Sequence, residues 1–458
     1  MNHLFEGVRP RQLPSPRQLL TLAKTRTGVL ALTTGGNLVV RTISSMLLTR
    51  LLTPTDFGIV GIITSVFFAV AMVTDLGFQD FLIRHERTED RHFRDVIWTI
   101  HAKRGLAVFA VVAIGSPLIA GLFGKQAVAL PLAVASLTFA VNGVASLSLM
   151  TALRHDKARE LSLIDFALQV FQTAACLVLA LWWRNAWSII AAMVLQSGLR
   201  TAVSYRFFPD SEQRPARDKA ISREFLVFSR FVMTSSALAL VIGQTDKLVL
   251  GRVFTLSEFG IYAIALTIAS APVAFAESYV NRIVFPICAR TWREMPDQLA
   301  RVYYSVRRRA AALYGFACGG LIGSASLVIG LLYDPRYAGA STFVSLLAIG
   351  TALRLPNSAA AQLMVAVGHV QKTMRMTLVR LLWVVGAVPL GLMYFGPVGV
   401  IAAMGLMEVP AMLYCWLLLR RIDVLDLREE LAFMGLVASG AAIGWLGATE
   451  ILHFFPHL

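Results

Sequence analysis

The sequence predicts an all-α polytopic membrane protein: two pseudo-symmetric six-helix lobes related as a parallel repeat, plus one extra C-terminal transmembrane helix. Three observations carry this. Hydrophobic residues make up 57% of the chain and charged ones only 15%, against roughly 45–50% and about 25% in soluble domains. Long apolar stretches follow one another along the whole length. The first half is echoed by the second: Arg50, Asp56 and Gly58 recur as Arg252, Glu258 and Gly260 at a constant separation of 202 residues.

A bilayer span needs about 20 apolar residues. The expected spans are thirteen, at 28–49, 57–80, 96–122, 127–151, 161–183, 186–205, 225–249, 258–284, 310–333, 339–366, 375–395, 397–419 and 431–454. Residues 1–27 are polar and basic and form a cytoplasmic segment without a convincing cleavage site after the first apolar run. Six spans make an N-terminal lobe, 28–205, and a cytoplasmic linker follows at 206–224. Six more make a C-terminal lobe, 225–420. Residues 421–458 form a linker and the additional helix, outside the repeat.

The connections fall into two alternating sets. One set, with the N-terminus, holds thirty Lys/Arg and the other only six. Such asymmetry places the basic side in the cytoplasm, so the N-terminus is inside and, with an odd span count, the C-terminus outside. The net charge of +15 is thereby used in topology and in meeting anionic lipid. No loop is long enough for a basic nucleic-acid-binding domain. No GxxxxGK[ST] stretch is present, which argues against ATP hydrolysis by this chain.

Within the repeat, Thr53-Pro54-Thr55-Asp56 and Thr255-Leu256-Ser257-Glu258 each fit a helix start. A Thr N-cap is answered by an acid three residues on, and Pro54 suits the first turn. Ile190-Ala191-Ala192-Met193 recurs as Ile401-Ala402-Ala403-Met404, pairing the sixth span with the twelfth. Because six spans precede the repeat, both halves have the same orientation, with a pseudo-two-fold axis along the membrane normal. Duplicated halves meeting at a polar seam favour a carrier over an enzyme.

The block Arg50-Leu-Leu-Thr-Pro-Thr-Asp56-Phe-Gly58, with Asp75-Leu-Gly77-Phe after it, resembles the first hairpin of Wzx-type bacterial polysaccharide-unit flippases. Gln244-Thr-Asp246-Lys247-Leu-Val-Leu-Gly251-Arg252, then Glu258-Phe-Gly260-Ile-Tyr262, is similar to their seventh and eighth helices. These belong to the multidrug/oligosaccharidyl-lipid/polysaccharide exporter superfamily, and the resemblance covers about residues 28–420. It implies a V-shaped pair of six-helix lobes working by alternating access in the bacterial inner membrane. It also implies a polyprenyl-pyrophosphate-linked oligosaccharide as cargo and other polysaccharide assembly proteins as partners.

Ionised groups inside spans are costly and mark functional candidates. Arg41, Arg354 and Glu408 lie too deep to reach water by extension. They either line a central cavity, where Arg donors would suit a pyrophosphate, or form structural ion pairs. Asp75 and Glu277 fall on each other across the repeat and are candidates for gating or coupling. Arg282, one turn beyond Glu277, is a candidate partner for it. Asp246 and Lys247, with Arg282, are further gating or coupling candidates; Asp246, Lys247 and Arg230 sit near span ends, and Lys103 and Arg104 in the first third of the third span. Pro356 after Arg354, Pro410 after Glu408, and Gly35-Gly36-Asn37 before Arg41 are expected kinks.

Other readings are weighed against this one. A drug/cation antiporter of the same superfamily would need buried acids more than arginines. A lipid II flippase shares the chemistry with a different sugar head. A polysaccharide polymerase or membrane glycosyltransferase would show a large outer loop or a sugar-nucleotide domain. A scaffold leaves the buried charges unexplained. Cys176, Cys288, Cys318 and Cys415 read as small buried hydrophobes, and the His453/His457 pair is interrupted by Pro456. No metal, cofactor or catalytic residue is expected.

Overall fold

The computed structural model describes residues 26–152, 154, 157–207 and 212–454, and these are helical with no strand among them. The N-terminal segment up to residue 25, and His457, lie outside the described residues. The long helices are α1 (Arg26–Leu51), α2 (Pro54–Val73), α3 (Arg91–Phe123), α4 (Gln126–Gly143), α5 (Ala158–Trp183) and α6 (Trp187–Arg206). They continue as α7 (Lys219–Val253), α8 (Leu256–Glu294), α9 (Leu299–Gly323), α10 (Ala340–Ala366), α11 (Val370–Gly405), α12 (Glu408–Arg420) and α13 (Leu427–Phe454).

Each expected span coincides with a helical segment, but not all are apolar enough to count by composition. Eight helices are long and apolar enough to cross a membrane, or up to nine if the pair bent by 74° after Gly323 is one span. Helices α1, α6 and α7 are not among the eight. The 51-residue stretch Val370–Arg420 counts once although it is folded back on itself. Gly396, at φ 61° and ψ −151°, reverses the chain there, a conformation that glycine adopts without Cβ penalty. The two arms then run so close that a Cβ on Gly391 would sit 2.5 Å from Gly399 O. The Trp383 indole N–H donates across the hairpin to Ala403 O at 2.8 Å.

The duplicated turns have matching structure. Thr53 and Thr255 are both N-caps with complete capping boxes. The backbone N–H of Thr53 donates to Asp56 at 2.9 Å and that of Thr255 to Glu258 at 2.8 Å. Asp56 additionally accepts from Ala186 N at 2.8 Å, tying this end of the N-terminal half together.

Helices α2 and α8 then cross each other at their first turns. A Cβ on Gly58 would collide with the backbone of Leu256, and one on Gly260 with that of Pro54. Leu256 is Pro54's counterpart in the repeat, and Gly260 is Gly58's. The contact is therefore isologous, each half presenting the same patch to the other, as a local two-fold demands. A second set of contacts closes the same end. The 3₁₀ turn Pro335–Tyr337 precedes α10. From it, Arg336 donates to Thr49 O and Tyr337 Oη to Leu52 O, both at 3.2 Å.

Helix α13 is bound to α9 by small residues. A Cβ on Gly319 would lie 3.0 Å from Val437 C, one on Gly323 2.6 Å from Trp445 N, and one on Gly444 2.6 Å from Gly320 O. Such seams let backbones approach where lipid gives no hydrophobic drive. At one end of the seam, Arg307 pairs with Glu430 at 2.6 Å, both side chains 3% exposed, and the exposed Arg308 pairs with Glu429.

Of the three expected kinks, the one at Pro410 is present as a break in the helix just before it. Helix α1 runs unbroken through Gly35-Gly36-Asn37, and α10 through Pro356. The irregular points are Gly396, a turn at Ala271-Pro272 and a π-helical segment Val280–Val284 within α8. The break near Glu408 precedes it, at Leu406-Met407, because Pro410 sits in the first turn of α12, where its missing N–H costs nothing.

Candidate functional site

Two groups of polar residues lie inside the bundle. The first surrounds Arg41. A cavity of about 240 Å³ is lined by Arg41, Ser44 and Ser45 of α1, Thr64 of α2, Gln169 of α5 and Thr267 of α8. Helices of both halves contribute. The cavity lies beneath the end closed by the α2/α8 crossing, about three turns below the α1–α2 turn by helix rise. Arg41 is exposed, and no acid among the described residues is paired with it. Lys247 of α7 is within electrostatic reach. Its ammonium stands 5.8 Å from the Phe68 ring centroid on α2, a cation–π distance. Two cations, one from each half, thus face the gap between halves. Ser45 is hydrogen-bonded to Tyr333 at 3.0 Å, which connects the cavity wall to the outer closure.

The second group is a charge network within the C-terminal half. Arg354 on α10 donates to Glu277 of α8 at 3.0 Å and to Glu408 of α12 at 2.8 Å. Arg380 of α11 donates to Glu408 at 2.7 Å, and Asn357 Nδ2 does so at 2.7 Å. Ser358 donates to Glu277 at 3.1 Å. Two carboxylates face two guanidiniums, so the network is neutral and joins four helices. Its depth is uneven. Glu408's side chain is 4% exposed, whereas Arg354 and Glu277 are 33% and 37% exposed. Glu408 is the interior anchor, and the Arg354–Glu277 edge is reachable from outside the network.

The sequence candidates therefore separate. Arg41 and Lys247 line the gap between the halves. Arg354, Glu408 and Glu277 are brought together as ion pairs. The expected Arg282–Glu277 pairing is corrected: Glu277 holds Arg354, and Arg282 is an exposed residue of the π-helical segment with no acid partner among the described residues. Arg282 is five residues beyond Glu277, about 140° round a regular α-helix from it, so it lies off the face on which Glu277 meets α10. Asp75 does not mirror Glu277's role. It accepts from Gly77 N at 3.0 Å and from Ser236 of α7 at 3.2 Å, stabilising the end of α2 and linking it to the other half. Asp246 is buried and accepts from Tyr262 Oη. Its other oxygen, and Gln244 Oε1, have no hydrogen-bond partner among the described residues. Arg104 caps the end of α2 through Thr74 O at 2.6 Å. Lys103 and Arg230 line a basic cleft between α3 and α7.

Arg380 was not singled out, because it stands in the first turns of the expected span 375–395, where a cation reads as belonging to the basic connection before it. The available signal was charge balance: two deep acids beside one deep arginine call for a second cation. The four cysteines are unpaired and buried. Among the described residues, no cluster of His, Cys, Asp and Glu could hold a metal ion.

The fold and the polar gap between two halves define a polytopic membrane protein, and its fold is similar to that of solved members of the multidrug/oligosaccharidyl-lipid/polysaccharide exporter superfamily. The chain is similar to the lipid II flippase MurJ in an inward closed conformation, with TM-score 0.71, 11% identity and 91% of each chain covered. It is also similar to an inward-facing multidrug resistance transporter of the same superfamily, with TM-score 0.63, 14% identity and 87% and 97% covered. Residues 47–342 match the family described as polysaccharide biosynthesis protein, and the chain belongs to that family. Among its relatives is the succinoglycan biosynthesis transport protein ExoT of Rhizobium meliloti, 25% identical over 75% of this chain and 69% of that one. Another is the teichuronic acid biosynthesis protein TuaB of Bacillus subtilis, 23% identical over 62% of this chain. The chain spans 59% of TuaB's length.

Proposed function

We propose that the chain is a flippase that carries a polyprenyl-pyrophosphate-linked oligosaccharide across a bacterial cytoplasmic membrane by alternating access, for surface polysaccharide export. The observation that carries this reading is the Arg41 cavity: cationic, walled by hydroxyls and an amide, built from both halves, and closed at one end by the α2/α8 crossing. A pyrophosphate is stabilised by guanidinium donors, and Ser, Thr and Gln suit sugar hydroxyls. The polyprenyl tail stays in lipid between the halves. ExoT's description as a succinoglycan transport protein supports the cargo class.

In this reading residues 28–205 and 225–420 are two six-helix lobes, with the N-terminus in the cytoplasm and the C-terminus outside. Arg41 and Lys247 bind the anionic head. The Arg354–Glu277–Glu408 network holds the C-terminal lobe rigid while the two lobes rock. The chemistry is movement of an unchanged lipid, with no bond made or broken.

The test is deletion of the gene with inside-out and right-side-out assay of lipid-linked units. The expected result is accumulation of units facing the cytoplasm and loss of surface polysaccharide. Units that reach the outer face normally but stay unpolymerised would refute flipping in favour of a polymerase.

A further inference from the structure

A larger cleft than the Arg41 cavity lies at the basic end of the bundle, which the charge asymmetry of the loops assigns to the cytoplasm. Its volume is about 1480 Å³, and α9, α12 and the start of α13 form its walls. Five arginines line it, Arg301, Arg308, Arg309, Arg420 and Arg428, with three carboxylates, Asp423, Asp426 and Glu429. Most of the acidic groups are already engaged. Glu429 is paired with Arg308. Asp426 caps α13, accepting from Arg428 N at 3.0 Å and Glu429 N at 3.4 Å. Arg301, Arg309, Arg420 and Arg428 are exposed and have no acid partner among the described residues. Four unpaired guanidiniums thus share one cleft with one uncommitted carboxylate, Asp423.

The second property of the cleft is its apolar side. Leu413, Trp416, Leu417 and Arg420 follow one another at helical spacing down one face of α12. Leu413 and Leu417 are 51% and 57% exposed, so in a bilayer they meet acyl chains. The face passes from leucine through an interfacial tryptophan to arginine, which is the polarity profile of a lipid from tail to head. A soluble phosphate compound would gain nothing from those leucines.

We propose that this cleft is a binding site for one anionic phospholipid of the cytoplasmic leaflet. Its phosphate is held among Arg301, Arg309, Arg420 and Arg428, and its chains lie along Leu413, Trp416 and Leu417. Basic clefts between transmembrane helices on the cytoplasmic side recognise lipid head groups through charge-assisted bonds. The lipid bridges α9, α12 and α13 at the end where Arg307–Glu430 and Arg308–Glu429 already join two of them. It thereby fixes the additional helix to the C-terminal half. The site stands independently of the cargo proposed for the Arg41 cavity.

The full-length protein in detergent is titrated with phosphatidylglycerol, phosphatidylethanolamine or inorganic pyrophosphate. Melting and native mass spectra are recorded for each. Phosphatidylglycerol is expected to raise Tm by roughly 3 °C and to persist as a single lipid-mass adduct, while the other two have no effect. The R301Q/R309Q/R420Q/R428Q variant is expected to melt like the parent without lipid and to lose the shift, its adduct weakened by about tenfold or more. A K219Q/R223Q control, altered in the other basic cleft, keeps both. An undiminished shift in the quadruple variant, equal loss in the control, or an equal response to pyrophosphate would overturn the proposal. Should the quadruple variant not fold, R420Q alone is measured, and an adduct as strong as the parent's overturns it equally.

Discussion

Replacing Gly260 with alanine tests the closure of the outer end directly. The new Cβ would stand 2.8 Å from Gly58 N and nearer still to Pro54 O. Both are backbone atoms, so no side chain can turn aside. Restoring the Gly58 N contact to about 3.5 Å requires about 0.7 Å of separation between α2 and α8, and relieving the nearer Pro54 O requires more. Overpacking of this kind costs about 1–3 kcal/mol, and here only the conformer with the crossing formed bears it. The closed-to-open ratio at that end is then expected to fall by roughly 5- to 150-fold. The assay is labelling of a cysteine placed at Thr64, in the cavity wall, by a membrane-impermeant thiol reagent added from outside. The native cysteines are buried, so background labelling is low. Labelling is expected to rise in G260A and also in G58A. It stays at the parent level in G198A, where an added Cβ meets nothing within 4 Å. Equal labelling in all four proteins, at equal expression, would refute the view that this crossing closes the outer end.

Three further outcomes follow from the same structure. Arg41→Ala should abolish or strongly reduce glycan export while the protein stays folded in the membrane; normal export at equal expression removes Arg41 from the binding site. Glu408→Ala should destabilise the fold by about 3–5 kcal/mol, because Arg354 and Arg380 are left without their shared acid, and Glu277→Ala by clearly less because its pair is a third exposed; thermal melting in detergent ranks the two, and the reverse order contradicts the network's polarity. Gly319→Val should force α13 off α9, seen as faster proteolysis of the C-terminal helix with the rest intact; unchanged proteolysis denies that the glycine seam holds it.

Much of the fold was legible because it rests on local rules. Thr53 and Thr255 declare themselves as caps from four residues each, and both boxes form as written. The residues within the repeat also specify where the halves meet, since Gly58 and Gly260 are the smallest choices at equivalent positions. What was illegible depended on long-range pairing. Nothing local to Arg380 distinguishes it from the loop cations before it, and only the helix that extends back to Val370 carries it inside. Arg307 and Arg308 read as topology signals until Glu430 and Glu429 meet them from more than a hundred residues away. A position five residues along the same helix points to a different face, so Arg282 cannot meet Glu277 on the side where α10 supplies Arg354. Arg41 was identified by depth alone, and its surroundings of Ser44, Thr64 and Gln169 came only with the packing of four helices.

The seam between α9 and α13 has a consequence for the order in which the chain is made. Helix α9 displays Gly315, Gly319 and Gly323 to Phe433, Val437, Ala441 and Trp445 of α13, and Gly320 to Gly440 and Gly444, yet these partners are synthesised much later. At bacterial rates about 117 residues separate Gly323 from Gly440 by roughly 6 to 23 seconds of synthesis. During that interval α9 is in the bilayer with an open backbone groove, which lipid or an insertion factor must cover. Helix α13 then displaces that cover, so this part of the C-terminal half acquires its finished surface only once α13 has been made.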